Sequence, residues 1–202
     1  MPPEWVDRQL RRRGIRDERV LAAMVRVPRE AFVPAEARAA AYADAALALS
    51  HGQTISQPFI VALICQALEL QGDERVLDVG TGSGYQAAVL AELAAEVVSI
   101  ERILELAATA RENLAAAGYD VEVRVGDGTL GVPDRAPFDG IAVAAAAAEV
   151  PQPLYEQLVP GGRLVLPIED SLVVVTRTDR GARARFLSAA RFVPLRSGLP
   201  DG

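Results

Sequence analysis

Val76-Leu77-Asp78-Val79-Gly80-Thr81-Gly82-Ser83-Gly84 is the stretch that decides the fold of this chain. Its first four residues make a short, mostly apolar strand. The three glycines at alternate positions make a turn in which the backbone can take positive φ and approach another group closely. Tyr85-Gln86-Ala87-Ala88-Val89-Leu90 then begins an apolar helix. The spacing predicts a strand over 75–79, a tight loop over 80–84 and a helix over 85–94.

The same alternation continues toward the C-terminus. Strands are predicted over 97–101, 121–125, 138–144 and 163–167, separated by helices over 104–117 and 151–158; the run Ala144 to Ala148 reads as a loop. Such alternation implies a largely parallel sheet with helices on both faces. Leu172-Val173-Val174-Val175-Thr176, a turn near Asp179-Arg180-Gly181 and an extended run over 186–195 read as antiparallel closing strands. In the other direction, 57–70 is an apolar helix with proline in its first turn, and 49–58 before it is polar. Residues 5–25 read as two short helices split near Gly14, and Pro28 and Pro34 punctuate the passage to an alanine-rich segment ending near Ala48. The expected architecture is doubly wound α/β, Rossmann-like. It has an N-terminal helical appendage and polar loop over 1–56 and a main domain over 57–202, together one structural unit.

With 202 residues, half of them hydrophobic, the chain can bury the core of one domain. A formal net charge of −6 argues against a broad basic surface, so nucleic acid is not an expected partner. Arg11-Arg12-Arg13 is flanked by Asp7, Asp17 and Glu18 and reads as a solvated helix face. The single cysteine, Cys65, lies in an apolar run as a buried thiol, and no disulfide or metal site is expected from it. The first residues lack an apolar leader and no run is long enough to span a bilayer, so the expected setting is cytoplasmic, away from membranes.

In an open α/β sheet a ligand binds outside the carboxyl ends of the strands, where the strand order reverses. A dinucleotide loop reads G-x-G-x-x-G, because a pyrophosphate rests on the helix behind it. Here Gly80, Gly82 and Gly84 are spaced G-x-G-x-G after acidic Asp78, which favours a nucleoside with an amino-acid tail, S-adenosyl-L-methionine, over NAD. Glu101 ends the second strand, 21 positions after Gly80, where a carboxylate accepts hydrogen bonds from ribose hydroxyls. Asp127, in Gly126-Asp127-Gly128 after the third strand, is placed to receive an adenine amino group, although aspartate between glycines is also ordinary turn chemistry. Three successive strand ends thus converge on one nucleoside site.

These residues, together with Val27-Pro28-Arg29-Glu30-Ala31-Phe32-Val33-Pro34, His51-Gly52-Gln53-Thr54-Ile55-Ser56-Gln57-Pro58, Ala136-Pro137-Phe138-Asp139 and Gln157-Leu158-Val159-Pro160-Gly161-Gly162-Arg163-Leu164, resemble the protein-L-isoaspartate (D-aspartate) O-methyltransferases. The glycine loop is shared by many methyltransferases; Gln53-Thr54-Ile55-Ser56 is the specific block. The resemblance implies methyl transfer from S-adenosyl-L-methionine, leaving S-adenosyl-L-homocysteine, to the free carboxylate of L-isoaspartyl residues in damaged proteins and peptides, which begins their repair. Read alone, Ser56 serves equally well as an N-cap for the following helix or as a hydroxyl in a site. The resemblance implies that it is catalytic, orienting the acceptor oxygen and touching the cofactor, with Thr54 and Ile55 beside cofactor and substrate and Gly128 beside Asp127 on the cofactor. His51, the sole histidine, is expected to line the substrate, since a carboxylate with a pKa of ~4 needs no general base. A monomer is expected.

Two departures stand out. The family commonly has threonine at Ala144 and proline at Ala148, and the stretch from Leu166 to Leu172 is shorter and poorer in glycine than the family turn. Competing readings are a methyltransferase of the same fold acting on a small molecule or RNA, a cofactor-binding module with little catalysis, and an NAD-dependent oxidoreductase, the last disfavoured by the glycine spacing.

Overall fold

The computed structural model describes residues 3–200, so the first two residues of the 1–56 segment and the last two of the 57–202 segment lie outside it. Seven strands form the central sheet: β3 (Arg75–Val79), β4 (Glu96–Glu101), β5 (Glu122–Val125), β6 (Phe138–Val143), β7 (Leu158–Ile168), β8 (Ser171–Thr178) and β9 (Gly181–Ala189). Their order is β5-β4-β3-β6-β7-β8-β9, parallel from β5 to β7 and antiparallel thereafter. The chain runs outward from β3 through β4 to β5, then returns to pair β6 with the other side of β3. That reversal puts the switch point directly beyond β3, where the glycine loop lies.

Period-two alternation along β3 sends Val76 to one core and Leu77 and Val79 to the other. The first core also receives α3 (Pro58–Leu68), α4 (Tyr85–Ala91) and α5 (Leu104–Ala116); the second is closed by α6 (Gln152–Glu156). α3 is apolar nearly all round because it is covered on several sides: Phe59, Ile60, Val61, Ala62, Ile64, Cys65, Ala67 and Leu68 are all buried. Its cover is the N-terminal segment. α1 (Glu4–Gln9) and α2 (Glu18–Arg26), with Leu10 just after the first, contribute Val6, Leu10, Val20, Leu21 and Met24 to the same core. Asp17 caps α2 by accepting from the N–H groups of Arg19 and Val20, a contact worth about 1 kcal/mol. The arginine triplet is turned to local acids: Arg11 pairs with Glu18, Arg12 with Asp7 and Arg13 with Asp44.

Several boundaries differ from the sequence expectation. The alanine-rich stretch forms only a 3-10 turn over Ala35–Ala40, and the polar loop folds as a small antiparallel hairpin of β1 (Leu47–Ala48) and β2 (Thr54–Ile55). β7 starts five residues earlier than predicted. Pro160-Gly161-Gly162 reads as a chain breaker, yet Leu158 pairs with Phe138 and the register shift before Gly140 absorbs the extra residues. The run over 186–195 divides: β9 ends at Ala189, and the chain then crosses the sheet end, where Leu195 N–H donates to Ala146 O at 2.7 Å and Ala146 N–H to Val193 O at 2.8 Å. The alanine loop thus supplies free backbone groups that tie down the C-terminal tail.

Candidate functional site

Gly80, Gly82 and Gly84 all have positive φ, +91°, +55° and +91°. At Gly84 the requirement is doubled, since a β-carbon there would lie 3.1 Å from Leu114 Cγ and 3.3 Å from the Ala110 carbonyl. At Gly80 and Gly82 an added β-carbon would meet nothing closer than Ala144 Cβ at 3.6 Å and Leu49 Cδ1 at 3.8 Å, so these two leave backbone open toward the cleft.

The loop is held from beneath by a buried polar cluster. Asp78 and Ser99 are register partners on β3 and β4. Asp78 accepts from Ser99 Oγ at 2.7 Å and from Gln86 Nε2 at 2.8 Å, and Ser99 Oγ lies 2.6 Å from Thr81 Oγ1. Burial pushes the Asp78 carboxyl up to about 6, with the Ser99 and Gln86 hydrogen bonds pulling the other way. Sequence reasoning expected Asp78 to touch the cofactor. Its side chain is instead fully buried below the loop, because even-numbered positions of β3 face the α4 core, and its carboxylate bonds Gln86 and Ser99, the latter in turn next to Thr81. Those three residues were missed; the one signal was a serine inside the apolar strand Val97-Val98-Ser99-Ile100.

Glu101, at the carboxyl end of β4, accepts from Gly82 N–H at 2.9 Å through Oε2 and from Ile103 N–H at 3.1 Å through Oε1. Each oxygen keeps a second acceptor direction. Asp127 follows β5 and accepts from the Thr129 N–H and hydroxyl through Oδ1, at 2.9 and 2.6 Å, and from Gly198 N–H through Oδ2 at 2.6 Å. Burial pushes the Asp127 carboxyl up, but the bonds from Gly198 and Thr129 together outweigh it and hold the group below the usual carboxylate range. Gly128 fits tightly, as a β-carbon there would lie 2.6 Å from Val79 Cγ1. The tail partner of Asp127 has no sequence signal. Arg102 Nε closes the same strap by donating to Gly198 O at 3.1 Å.

The hairpin β1–β2 brings the second half of the site. Thr54, Ile55 and Ser56 line one cleft with Gly80, Thr81, Gly82, Ser83 and Ala144. The capping residue of α3 is Gln57, and no side chain bonds the first turn of that helix, so the N-cap alternative for Ser56 is not the one adopted. The Ser56 carbonyl accepts from Arg29 Nη2 at 2.7 Å. His51 sits at the hairpin tip with φ +57°, exposed, its Nε2 3.9 Å from Glu105 Oε2 at the start of α5. It does not line the cleft that holds Ser56.

The profile of the protein-L-isoaspartate (D-aspartate) O-methyltransferase family matches residues 4–199. This chain belongs to that family. It is 56% identical over 199 residues to protein-L-isoaspartate O-methyltransferase 2 of Anaeromyxobacter sp. (strain Fw109-5), covering 96% of this chain and 82% of the relative. It is 54% identical over 198 residues to the enzyme of Methanoculleus marisnigri, covering 95% and 90%. Among solved structures, the Plasmodium falciparum putative family member in complex with S-adenosyl-L-homocysteine superposes with a TM-score of 0.83 at 27% identity, over 96% of this chain and 97% of that one. A further protein-L-isoaspartate O-methyltransferase gives 0.87 at 27% identity, over 98% and 67%. Members of this family are S-adenosyl-L-methionine-dependent protein carboxyl methyltransferases, and the chain is one: it methylates L-isoaspartyl carboxylates and so begins repair of damaged proteins. Among the described residues no helix is long and apolar enough to cross a membrane.

Proposed function

We propose that Ser56 orients the isoaspartyl carboxylate of the substrate while the glycine loop, Glu101 and Asp127 hold the nucleoside. The observation that carries this reading is the single cleft shared by Thr54, Ile55 and Ser56 with Gly80, Gly82 and Ser83. The donor set fits the cofactor: two carboxylates at successive strand ends suit hydroxyl and amino donors, and open glycine backbone suits an amino-acid tail. Glu101 takes the ribose hydroxyls, Asp127 takes the adenine amino group with Gly128 beside it, and Gly80, Gly82 and Gly84 shape the backbone around the tail. Asp78 supports this loop from beneath.

S-adenosyl-L-methionine supplies an electrophilic methyl group when bound. The chain's own task is placement. An isoaspartyl carboxylate is ionised at neutral pH, so no residue has to remove a proton. A hydroxyl donor such as Ser56 can fix one carboxylate oxygen without protonating it, and accurate placement of reacting groups is worth several kcal/mol of a barrier, roughly 7 or more in favourable cases. Thr54 and Ile55, the two residues of β2, present backbone along the substrate, and His51 lines its outer edge. We further place the enzyme in the cytoplasm as a monomer, with residues 1–56 and 57–202 working as one structural unit. The continuous core between α1, α2 and α3 supports the last point.

The test is transfer of labelled methyl from S-adenosyl-L-methionine to a synthetic isoaspartyl peptide, with the aspartyl peptide as control. Ser56→Ala is expected to lower kcat by at least about 100-fold, the range seen when one positioned polar group is removed from a reaction centre, with S-adenosyl-L-homocysteine affinity within about threefold of wild type. Wild-type turnover in Ser56→Ala would refute the role given to Ser56.

A further inference from the structure

Arg29 is the largest fully buried side chain of the protein. Its Nε donates to Ala41 O at 2.7 Å, its Nη2 donates to Ser56 O at 2.7 Å, and its guanidinium carbon lies 4.6 Å from the centre of the Tyr85 ring, the first residue after the glycine loop. One side chain therefore joins the segment before the hairpin, the Ser56 peptide and the helix behind the cofactor loop. Among the described residues no carboxylate pairs with it, and its buried Nη1 has no hydrogen-bond partner. The ionisable side chains facing it are Tyr85 and Tyr42, and the Tyr42 hydroxyl is itself donated to Glu30. Burial lowers the guanidinium pKa, but arginine starts so high that the group stays charged at neutral pH.

An ion buried without a counter-charge is destabilising, and two carbonyls and an aromatic face satisfy a guanidinium only in part. The structure offers a reason for its presence. The negative group that the reaction brings to this place is the acceptor carboxylate, delivered to the hydroxyl of the same residue whose carbonyl Arg29 holds. We propose that Arg29 is a positioning residue for the reaction, fixing the Ser56 peptide and supplying the buried positive charge that offsets the charge of the incoming carboxylate. The inference rests on the placement of that carboxylate at Ser56. Tyr85, against which the guanidinium packs, keeps it from swinging away and links its position to the glycine loop.

Two variants separate the mechanical role from the electrostatic one. Arg29→Gln removes the charge. Arg29→Lys keeps a charge but replaces the planar fork that spans two carbonyls with a point donor. The measurements are calorimetric titrations of S-adenosyl-L-homocysteine, and of an isoaspartyl peptide and its neutral isoasparaginyl analogue into enzyme saturated with S-adenosyl-L-homocysteine, together with kcat. For Arg29→Gln the expected result is about tenfold weaker binding of the carboxylate peptide, with the amide analogue and S-adenosyl-L-homocysteine within about twofold of wild type. For Arg29→Lys the preference for the carboxylate peptide is retained while kcat falls at least about tenfold, because Ser56 loses part of its anchor. Equal weakening of both peptides in Arg29→Gln, loss of S-adenosyl-L-homocysteine binding, or wild-type kcat in Arg29→Lys would each overturn the proposal. Should Arg29→Gln fail to fold, judged by far-UV circular dichroism, Arg29→Lys decides alone: lowered kcat with retained preference supports the proposal, and any other pattern overturns it. Wild-type enzyme that methylates the isoaspartyl peptide yet binds both peptides alike would overturn the charge role of Arg29 and leave the Ser56 reading intact. Wild-type enzyme with no methyl transfer would overturn both.

Discussion

Replacing Asp78 by Asn tests the physical design of the glycine loop. Asp78 is buried among Ser99, Gln86 and the apolar residues of β3, and its carboxyl is pushed from 3.8 up to about 6. The unfolded chain binds this proton less tightly than the folded one, so the group's contribution to stability is fully present below pH 3.8 and is lost as pH rises through about 6. The full difference is worth about 3 kcal/mol, and about 1.4 kcal/mol of it falls between pH 5 and pH 8. An asparagine of the same shape can still accept from Gln86 and donate to Ser99, and it does not ionise. Urea unfolding of both proteins at pH 5, 6, 7 and 8, without cofactor, gives the difference in unfolding free energy at each pH. All other titrating groups cancel in that difference. Asp78→Asn should gain on wild type by about 1.4 kcal/mol between pH 5 and pH 8, most of it between pH 5 and pH 6. A difference flat across that range would show that Asp78 is not held ionised in a dry site, and the reasoning would fail.

Two further outcomes follow from the same site. Glu101→Gln places an NH2 group against either Gly82 N–H or Ile103 N–H, so one of those donors goes unmet at a cost of about 1–3 kcal/mol, and S-adenosyl-L-homocysteine affinity should drop at least about tenfold by calorimetry; unaltered affinity would remove Glu101 from the nucleoside site. Deleting residues 198–202 removes the Gly198 bond to Asp127 and the Arg102 bond to Gly198. Because residues 198–200 are exposed, the thermal midpoint should move little, while S-adenosyl-L-homocysteine should dissociate about tenfold faster in a stopped-flow displacement; an unchanged dissociation rate would make the strap irrelevant to the cofactor.

Much of the fold was legible because its signals are local. Strand β3, the glycine loop, and the starts of α4 and α5 fell where alternation of apolar strands and helices put them. The convergence of Gly80, Glu101 and Asp127 was legible too, since each lies just beyond a strand and parallel strands end on one side of a sheet. The burial of Asp78 was not, because whether an acid at a strand end faces solvent or a helix depends on which face that helix covers. The hairpin over 47–55 was hidden by its two-residue strands, too short for any periodicity to register. Likewise, nothing in Val27-Pro28-Arg29-Glu30 says that its arginine enters the core, as arginine near a proline usually stays in solvent.

By itself the sequence determined the class of fold, the glycine loop and the block that carries Ser56, because backbone freedom at glycine, apolar periodicity and strand-end acids act within a few residues of one another. Only the tertiary structure decided that Asp78 supports the loop from below, that Gly198 straps Asp127 from 71 positions away, and that Arg29 reaches across 27 positions to hold the Ser56 peptide. Those contacts join distant stretches of chain, and which polar groups meet inside a core is set by the packing of whole elements, which no local pattern records.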